Sequence, residues 1–171
     1  MPCWHAHSKI YEEFIRDFLA RPSLNLGCGG FKIGDVNVDM DKGVRPDVLF
    51  NLEDLPFPFK KDVFGSVVLH HSLEHLEEPE KTLIECKSLM KRGGKIVVVV
   101  PTPTNKMYRM VGHKQFYTKK SIKSLLEKHF TNVKVFGYKG DTKEITPSIC
   151  RIFGMVYPNQ YVCIGECKKS E

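Results

Sequence analysis

The sequence predicts an α/β domain on a mostly parallel sheet of about seven strands, and three observations predict it. Leu24-Asn25-Leu26 is a short apolar strand that runs into Gly27-Cys28-Gly29-Gly30, three glycines within four positions. Val36-Asn37-Val38-Asp39-Met40 is a second short strand closing on a carboxylate. Lys95 to Val100 is nearly continuously apolar, as expected of the doubly covered middle of a parallel sheet. Sheets of this kind hold ligands beyond the carboxyl ends of their strands. Glycine there admits φ > 0 and close approach of backbone to a ligand. A carboxylate at the end of the next strand can accept hydrogen bonds from both hydroxyls of a ribose. The pair reads as an adenosine site.

The elements follow in order. Apolar residues at 10, 11, 14, 15, 18 and 19 have helical spacing, which predicts a helix over 8–20 with Ser8 as N-cap and Arg21-Pro22 as stop. Strands are predicted at 23–26 and 36–40, joined by only nine residues, Gly27 to Asp35. Parallel neighbours normally need a crossover of about a dozen residues or more, so the crossovers among the first three strands are expected to be trimmed. Asp47 to Phe50 is a third strand. The alternating prolines of Leu55-Pro56-Phe57-Pro58-Phe59 make that stretch an apolar loop. Ser66 to His70 is the fourth strand. Pro79 to Met90 is a helix with proline at its start, Lys91-Arg92 at its negative end and Gly93-Gly94 as terminator. After strand five a loop over 101–117 leads to a helix at 118–129 with Thr118 as N-cap. Strands at 133–136 and 161–167 flank a Gly-, Pro- and Thr-rich insertion over 138–160. The whole is expected to be one domain, 1–171, with a helix or lid at 1–22, a core at 23–136, and the insertion with the last strand at 137–171.

At 171 residues the chain has a net charge of +6, unevenly distributed. Residues 81–143 carry 15 Lys/Arg against 3 Asp/Glu, whereas residues 1–80 carry 8 against 14. That asymmetry points either to an anionic partner for the middle block or to lysines that merely solvate helix faces. The longest pure apolar run, Ile96 to Val100, is far too short to span a bilayer, and the N-terminus lacks the regions of a signal peptide. Cysteines at 3, 28, 86, 150, 163 and 167 show no framework spacing, so reduced thiols in a cytoplasmic protein are expected. Cys3-Trp4-His5-Ala6-His7 has metal-ligand residue types but no complete four-ligand spacing, so no metal is expected; the segment reads instead as a lid with Trp4 packing on the site.

His70 and His71 end strand four. Neighbouring strand residues point to opposite faces, so at most one reaches the site. An imidazole titrating near ~6.5 can act as a base, or the two rings can simply close the pocket. His75, one turn on, reads as a structural helix-start residue. Cys28 reads as a small neutral filler. Lys106, Arg109, Lys114, Lys119, Lys120 and Lys123 interleave with Met107, Tyr108, Phe116 and Tyr117. Cations beside rings are the footprint of a nucleic-acid surface.

The order of these features, ending in His71-Ser72-Leu73-Glu74-His75-Leu76, resembles the class I S-adenosylmethionine-dependent methyltransferases, in particular the small ubiquinone- and sterol-type enzymes. The likeness covers about residues 23–136 and implies a Rossmann-like sheet. It implies that Asn25, Leu26, Gly27, Cys28, Gly29 and Gly30 lie against the methionine part of S-adenosylmethionine. Asp39 and Met40 would meet the ribose, Asn51 and Leu52 the adenine, and His71 both cofactor and acceptor. Pro101, Thr102, Pro103, His113 and Tyr117 would flank the acceptor. Four departures stand out: Asn25 replaces a frequent acid, Phe31 the last glycine, Asn51 the usual Asp and Gly65 an Asp before strand four.

The expected function is methyl transfer from S-adenosylmethionine, with His70 or His71 as candidate base, to an RNA base in ribosomal or transfer RNA. The Asn/Asp-Pro-Pro-aromatic signature of base-amino methylation is missing after strand four. Two alternatives stay open: a small anionic metabolite or lipid precursor as acceptor, and a cofactor-binding partner subunit without turnover.

Overall fold

In a computed structural model, residues 9–103, 112–139 and 159–169 are described. The chain forms α1 (Lys9–Arg16), β1 (Ser23–Leu26), β2 (Val36–Asp39), β3 (Val48–Leu49), β4 (Phe64–His70), α2 (Pro79–Leu89), β5 (Met90–Pro101), α3 (Lys119–Glu127), β6 (Thr131–Tyr138) and β7 (Gln160–Glu166). One sheet of seven strands runs β3-β2-β1-β4-β5-β7-β6. Its first five strands are parallel neighbours, and β7 is antiparallel to both β5 and β6. The mostly parallel α/β sheet expected from the sequence is therefore present.

The sheet is covered on two faces. On one, α2 and α3 bury Leu83, Cys86, Leu89, Ile122 and Leu126 against Leu24, Leu26, Val67, Leu69, Ile96 and Val98. On the other, α1 lays Tyr11, Phe14 and Ile15 over Val68, Val97, Val99, Tyr138 and Val162, together with Phe31 and Ile33 from the first crossover. That crossover is the nine-residue link from Gly27 to Asp35, and it contains no helix. The neighbouring N-terminal helix thus fills space on a face where a crossover helix would sit. Arg16 ties the two together by donating from Nη1 to the Ile33 carbonyl, 3.1 Å away.

Several boundaries differ from expectation. α1 ends at Arg16; Phe18 and Leu19 continue only as three-residue turns, donating to Ile15 and Arg16 carbonyls, because Arg21-Pro22 must already turn into β1. α2 stops at Leu89, one residue before the expected Met90, since Met90 is extended and pairs with Phe64 of β4. The two glycines serve a kink within β5 instead: Gly93 takes φ +75° and donates to the Cys167 carbonyl at 2.9 Å. α3 begins as predicted, with Thr118 Oγ1 accepting from the Ser121 N–H at 3.1 Å and Ser121 Oγ accepting from the Thr118 N–H at 2.8 Å. Ser8, the Cys3–His7 segment with Trp4, Lys106, Met107, Tyr108, Arg109, Cys150 and most of the 138–160 insertion lie outside the described residues. No helix among the described residues is long and apolar enough to cross a membrane.

Two predictions follow from this packing. Ile15 is fully buried, so Ile15→Ala is expected to cost about 2–5 kcal/mol in chemical denaturation. Asp35 accepts from Arg21 and from the Ser23 N–H and hydroxyl, and the Arg21 guanidinium holds its carboxyl down at about 2. The folded pKa lies below the unfolded value of about 3.9, so its contribution is present above about pH 4 and lost as pH falls towards 2. The stability gap between wild type and Asp35→Asn should accordingly be full at pH 5 and shrink through that window; a gap independent of pH would refute the assignment.

Candidate active site

The chain reverses direction across the sheet between β1 and β4: β2 and β3 lie to one side of β1, β5 to the other side of β4. A crevice beyond the carboxyl ends of two such strands is where open α/β sheets take ligands. Here the two walls touch. A Cβ built on Gly27 would stand 2.6 Å from the Ser72 Cβ and 3.4 Å from Leu52 Cδ1, and Gly27 has φ +69°. Ser72 Oγ donates to the Leu26 carbonyl at 3.0 Å, locking the segment after β4 onto the end of β1. Only glycine fits at 27, for both conformational and steric reasons.

Beyond Gly27 the loop is held by polar ties to β2. The N–H groups of Gly27 and Cys28 both donate to the Val38 carbonyl at 2.9 Å. Gly29, at φ +48°, donates to Asp39 Oδ2 at 2.7 Å, while the Asp41 N–H donates to Oδ1 at 2.9 Å. Asp39 is half-buried, and a carboxylate offers about four lone-pair sites, so each oxygen can accept one further hydrogen bond. Nothing lies within 4 Å of the position a Gly29 Cβ would take, so space is open over that residue. Open space above Gly29, beside a carboxylate with spare acceptor capacity, fits a ribose and the chain attached to it.

The other residues expected to hold the cofactor divide into supports and surfaces. Asn25 is wholly buried; its amide donates to the Phe31 carbonyl at 2.6 Å and to Asn37 Oδ1 at 3.3 Å, so it braces the loop from beneath. Leu26 and Leu52 are buried in the core, Gly30 is exposed, and Met40 is 68% exposed beside Asp39. Asn51 Oδ1 accepts from the Glu53 N–H at 3.2 Å, which leaves its amide N–H₂ and a second oxygen lone pair. Cys28 is buried, and burial reinforced by the Asp39 charge pushes its thiol up to about 11, so it stays protonated.

The two histidines at the end of β4 face different surroundings, as the alternation of a strand requires. His70 is buried beneath α1, its Nε2 2.8 Å from the Tyr11 hydroxyl and its ring 4.4 Å from that of Phe31. His71 turns the other way and takes φ +51°, a left-handed conformation costing a non-glycine residue about 1–3 kcal/mol. Its N–H donates to the Val99 carbonyl at 2.9 Å. Its Nδ1 lies 3.2 Å from Glu74 Oε1 and its Nε2 2.9 Å from the Gln160 amide oxygen. With Nδ1–H on the carboxylate, Nε2 either carries a second proton or, with the Gln160 amide turned, a lone pair. Glu74 and Gln160 were not singled out from the sequence. Glu74 had a local signal, standing three residues after His71; Gln160 is 89 residues away and had none.

On the acceptor side, Pro101 pairs with Gln160, Thr102 is buried with its N–H on the Asn159 carbonyl at 3.1 Å, and Pro103 is exposed. Tyr117 is buried under the start of α3, where burial and then the Glu74 charge raise its phenol above the ordinary value. His113 sits against His75, ring centroids 4.7 Å apart. The lysines are less free than the sequence suggested: Lys114 pairs with Glu53 and Glu77, Lys123 with Glu127, Lys128 with Glu80 and Lys81 with Glu78. Lys119 and Lys120 are exposed at the first turn of α3, next to Phe116, which is 51% exposed.

Comparison with known proteins agrees with this fold. The family profile described as "Methyltransferase domain" matches residues 35–98. An uncharacterized protein of Methanocaldococcus jannaschii is 32% identical; the match covers 65% of this chain and 64% of that protein, so the chain spans somewhat under two thirds of the relative's length. A SAM-dependent methyltransferase of Archaeoglobus fulgidus has the same fold, with TM-score 0.64, 21% identity and coverage of 91% of this chain and 94% of the other. So does a methyltransferase in complex with the Haloferax volcanii Trm112 methyltransferase activator, with TM-score 0.63, 14% identity and 94% of both chains covered.

The loop geometry carries its own test. Gly27→Ala combines a positive φ with a 2.6 Å clash, so it is expected to lower the unfolding midpoint and weaken binding of S-adenosylhomocysteine together. Asp39→Ala removes the tie to Gly29 and the carboxylate expected to accept from a ribose. At least a tenfold rise in Kd by calorimetry is expected; unchanged binding would remove Asp39 from the site.

Proposed function

We propose that this chain, whose residues 35–98 match the profile described as "Methyltransferase domain", belongs to the class I S-adenosylmethionine-dependent methyltransferases and transfers a methyl group from that cofactor to an RNA. The observation that carries the methyl-transfer reading is the glycine loop tied to Asp39 at the reversal point of the sheet. When bound, the cofactor supplies an electrophilic methyl on a sulfonium. The chain's own work is then placement. Asp39 and the loop backbone orient the cofactor. The segment after β4 lines the path along which an acceptor lone pair must approach in line with the methyl–sulfur bond. Holding two reactants in such geometry is worth roughly 7–11 kcal/mol in favourable cases.

In this reading His71 is the acceptor-side base, not His70, whose Nε2 is engaged by Tyr11 in the core. Glu74 and Gln160 fix the His71 ring, and Gln160 releases Nε2 when the acceptor proton arrives. The acceptor assignment rests on the basic middle block and on the exposed Phe116, Lys119 and Lys120, close together in the chain at the start of α3. A second reading, a small anionic acceptor, is favoured by the pairing of Lys81, Lys114, Lys123 and Lys128 with carboxylates, which neutralises four of the fifteen cations of that block. The Haloferax complex supports a further element, a methyltransferase activator bound to a domain of this fold.

Methylation with labelled cofactor, offered RNA and small-metabolite fractions, separates these readings. Label in RNA, with affinity falling steeply against log salt, is expected; label confined to metabolites would overturn the RNA acceptor. His71→Ala should lower kcat by about 10²-fold or more if the ring takes the proton, and His70→Phe should leave kcat nearly intact. The reverse pattern would exchange their roles.

A further inference from the structure

We propose that Glu74, His75 and His113 form a binding site for a divalent first-row transition-metal ion at the acceptor edge of the crevice. The site goes beyond methyl transfer and does not depend on it. One potential ligand atom from each residue lies within 4.8 Å of the other two. Donors sharing an ion at about 2.1 Å stand roughly 3–4 Å apart, so closure needs small side-chain rotations only.

The carboxylate is the decisive observation. Glu74 is 1% exposed, and while Oε1 is engaged by His71, Oε2 has no hydrogen-bond partner. A buried carboxylate oxygen without a partner costs several kcal/mol, and a cation beside it removes that cost. The Tyr117 hydroxyl, also buried and without a hydrogen bond, lies in the same carboxylate's field.

The surroundings supply the supports that metal ligands need. His75 Nδ1 is 2.9 Å from the Gly112 carbonyl, so Nδ1 carries the proton and Nε2 the lone pair. Metal-binding histidines are held this way, by donating the other ring N–H to a carbonyl or carboxylate. The Lys114 and Gln115 N–H groups donate to the Glu74 carbonyl at 2.8 and 2.9 Å, which clamps the segment bearing His113 onto the turn bearing Glu74 and His75. His71 on Oε1 is the hydrogen bond that a ligating carboxylate receives from behind.

Two imidazoles and one carboxylate suit manganese, iron, cobalt, nickel or zinc, whereas magnesium and calcium prefer all-oxygen sets. Three protein ligands leave a position for water or for an oxygen of the acceptor. The Leu73-Glu74-His75 run hides the site in sequence because its third ligand comes 38 residues after His75, beyond strand five.

The test is titration of the chelator-treated full chain with Co(II), read by the visible d–d band that appears when nitrogen ligands bind. One ion per chain is expected, with Kd raised at least tenfold in His113→Ala and in Glu74→Gln. His113 is on a loop and only partly buried, so its variant should fold even if the Glu74 variant does not. The band should survive in Cys3→Ser/His5→Ala, which removes the other ligand-rich stretch. No band up to millimolar cobalt, or a band that persists in His113→Ala and disappears in the N-terminal variant, would overturn the site. Methyl transfer is not read in this experiment, so its failure would leave the proposed function standing.

Discussion

The architecture depends on how a glycine loop is held when no helix follows it. In a parallel sheet the loop after the first strand would ordinarily lead into a crossover helix, whose N–H groups and packing fix it. Here nine residues lead straight to β2, and the loop is fixed by β2 itself: two N–H groups on the Val38 carbonyl and a third on Asp39. Asn25 braces it from below and Ser72 from the opposite wall. With no helix after the loop, Asp39, the residue proposed to meet the ribose, also carries a structural tie to Gly29. In the proposed function, loop geometry and ligand binding are coupled through one carboxylate.

The same economy explains the N-terminal helix. A sheet face left bare by a helix-free crossover exposes Val68, Val97 and Val99, a patch worth several kcal/mol of burial. α1 covers it with Tyr11, Phe14 and Ile15, and its tyrosine hydroxyl satisfies His70. His70 thereby becomes part of the core, while His71, one residue on, is twisted into the left-handed region and held by Glu74 three residues on and by Gln160 from a distant segment. The contrast between two adjacent imidazoles is set by the alternation of a strand and by what lies over each face.

Much of this was legible in the sequence where the signal is local. Periodicity and capping gave α3 its start at Thr118; the apolar run of 95–100 marked the buried centre of the sheet; the short spacing from Gly27 to Asp35 required a trimmed crossover. What stayed hidden was non-local. Extension of β5 back to Met90 depends on pairing with Phe64, and the ion pairs that neutralise Lys114 and Lys128 join residues far apart in the chain. The partner of His71 at Gln160 and the gathering of Glu74, His75 and His113 likewise arise only when segments after β4 and β5 meet.

The most direct test of the central claim is an amide-resolved NMR titration of the ¹⁵N-labelled chain with S-adenosylhomocysteine. If one carboxylate joins loop and ligand, the amides of Gly27, Cys28, Gly29 and Asp41 should shift together with a single Kd, and Asp39→Asn should shift the Gly29 amide before any ligand is added. Shifts clustered elsewhere, or a Gly29 amide indifferent to residue 39, would contradict the account.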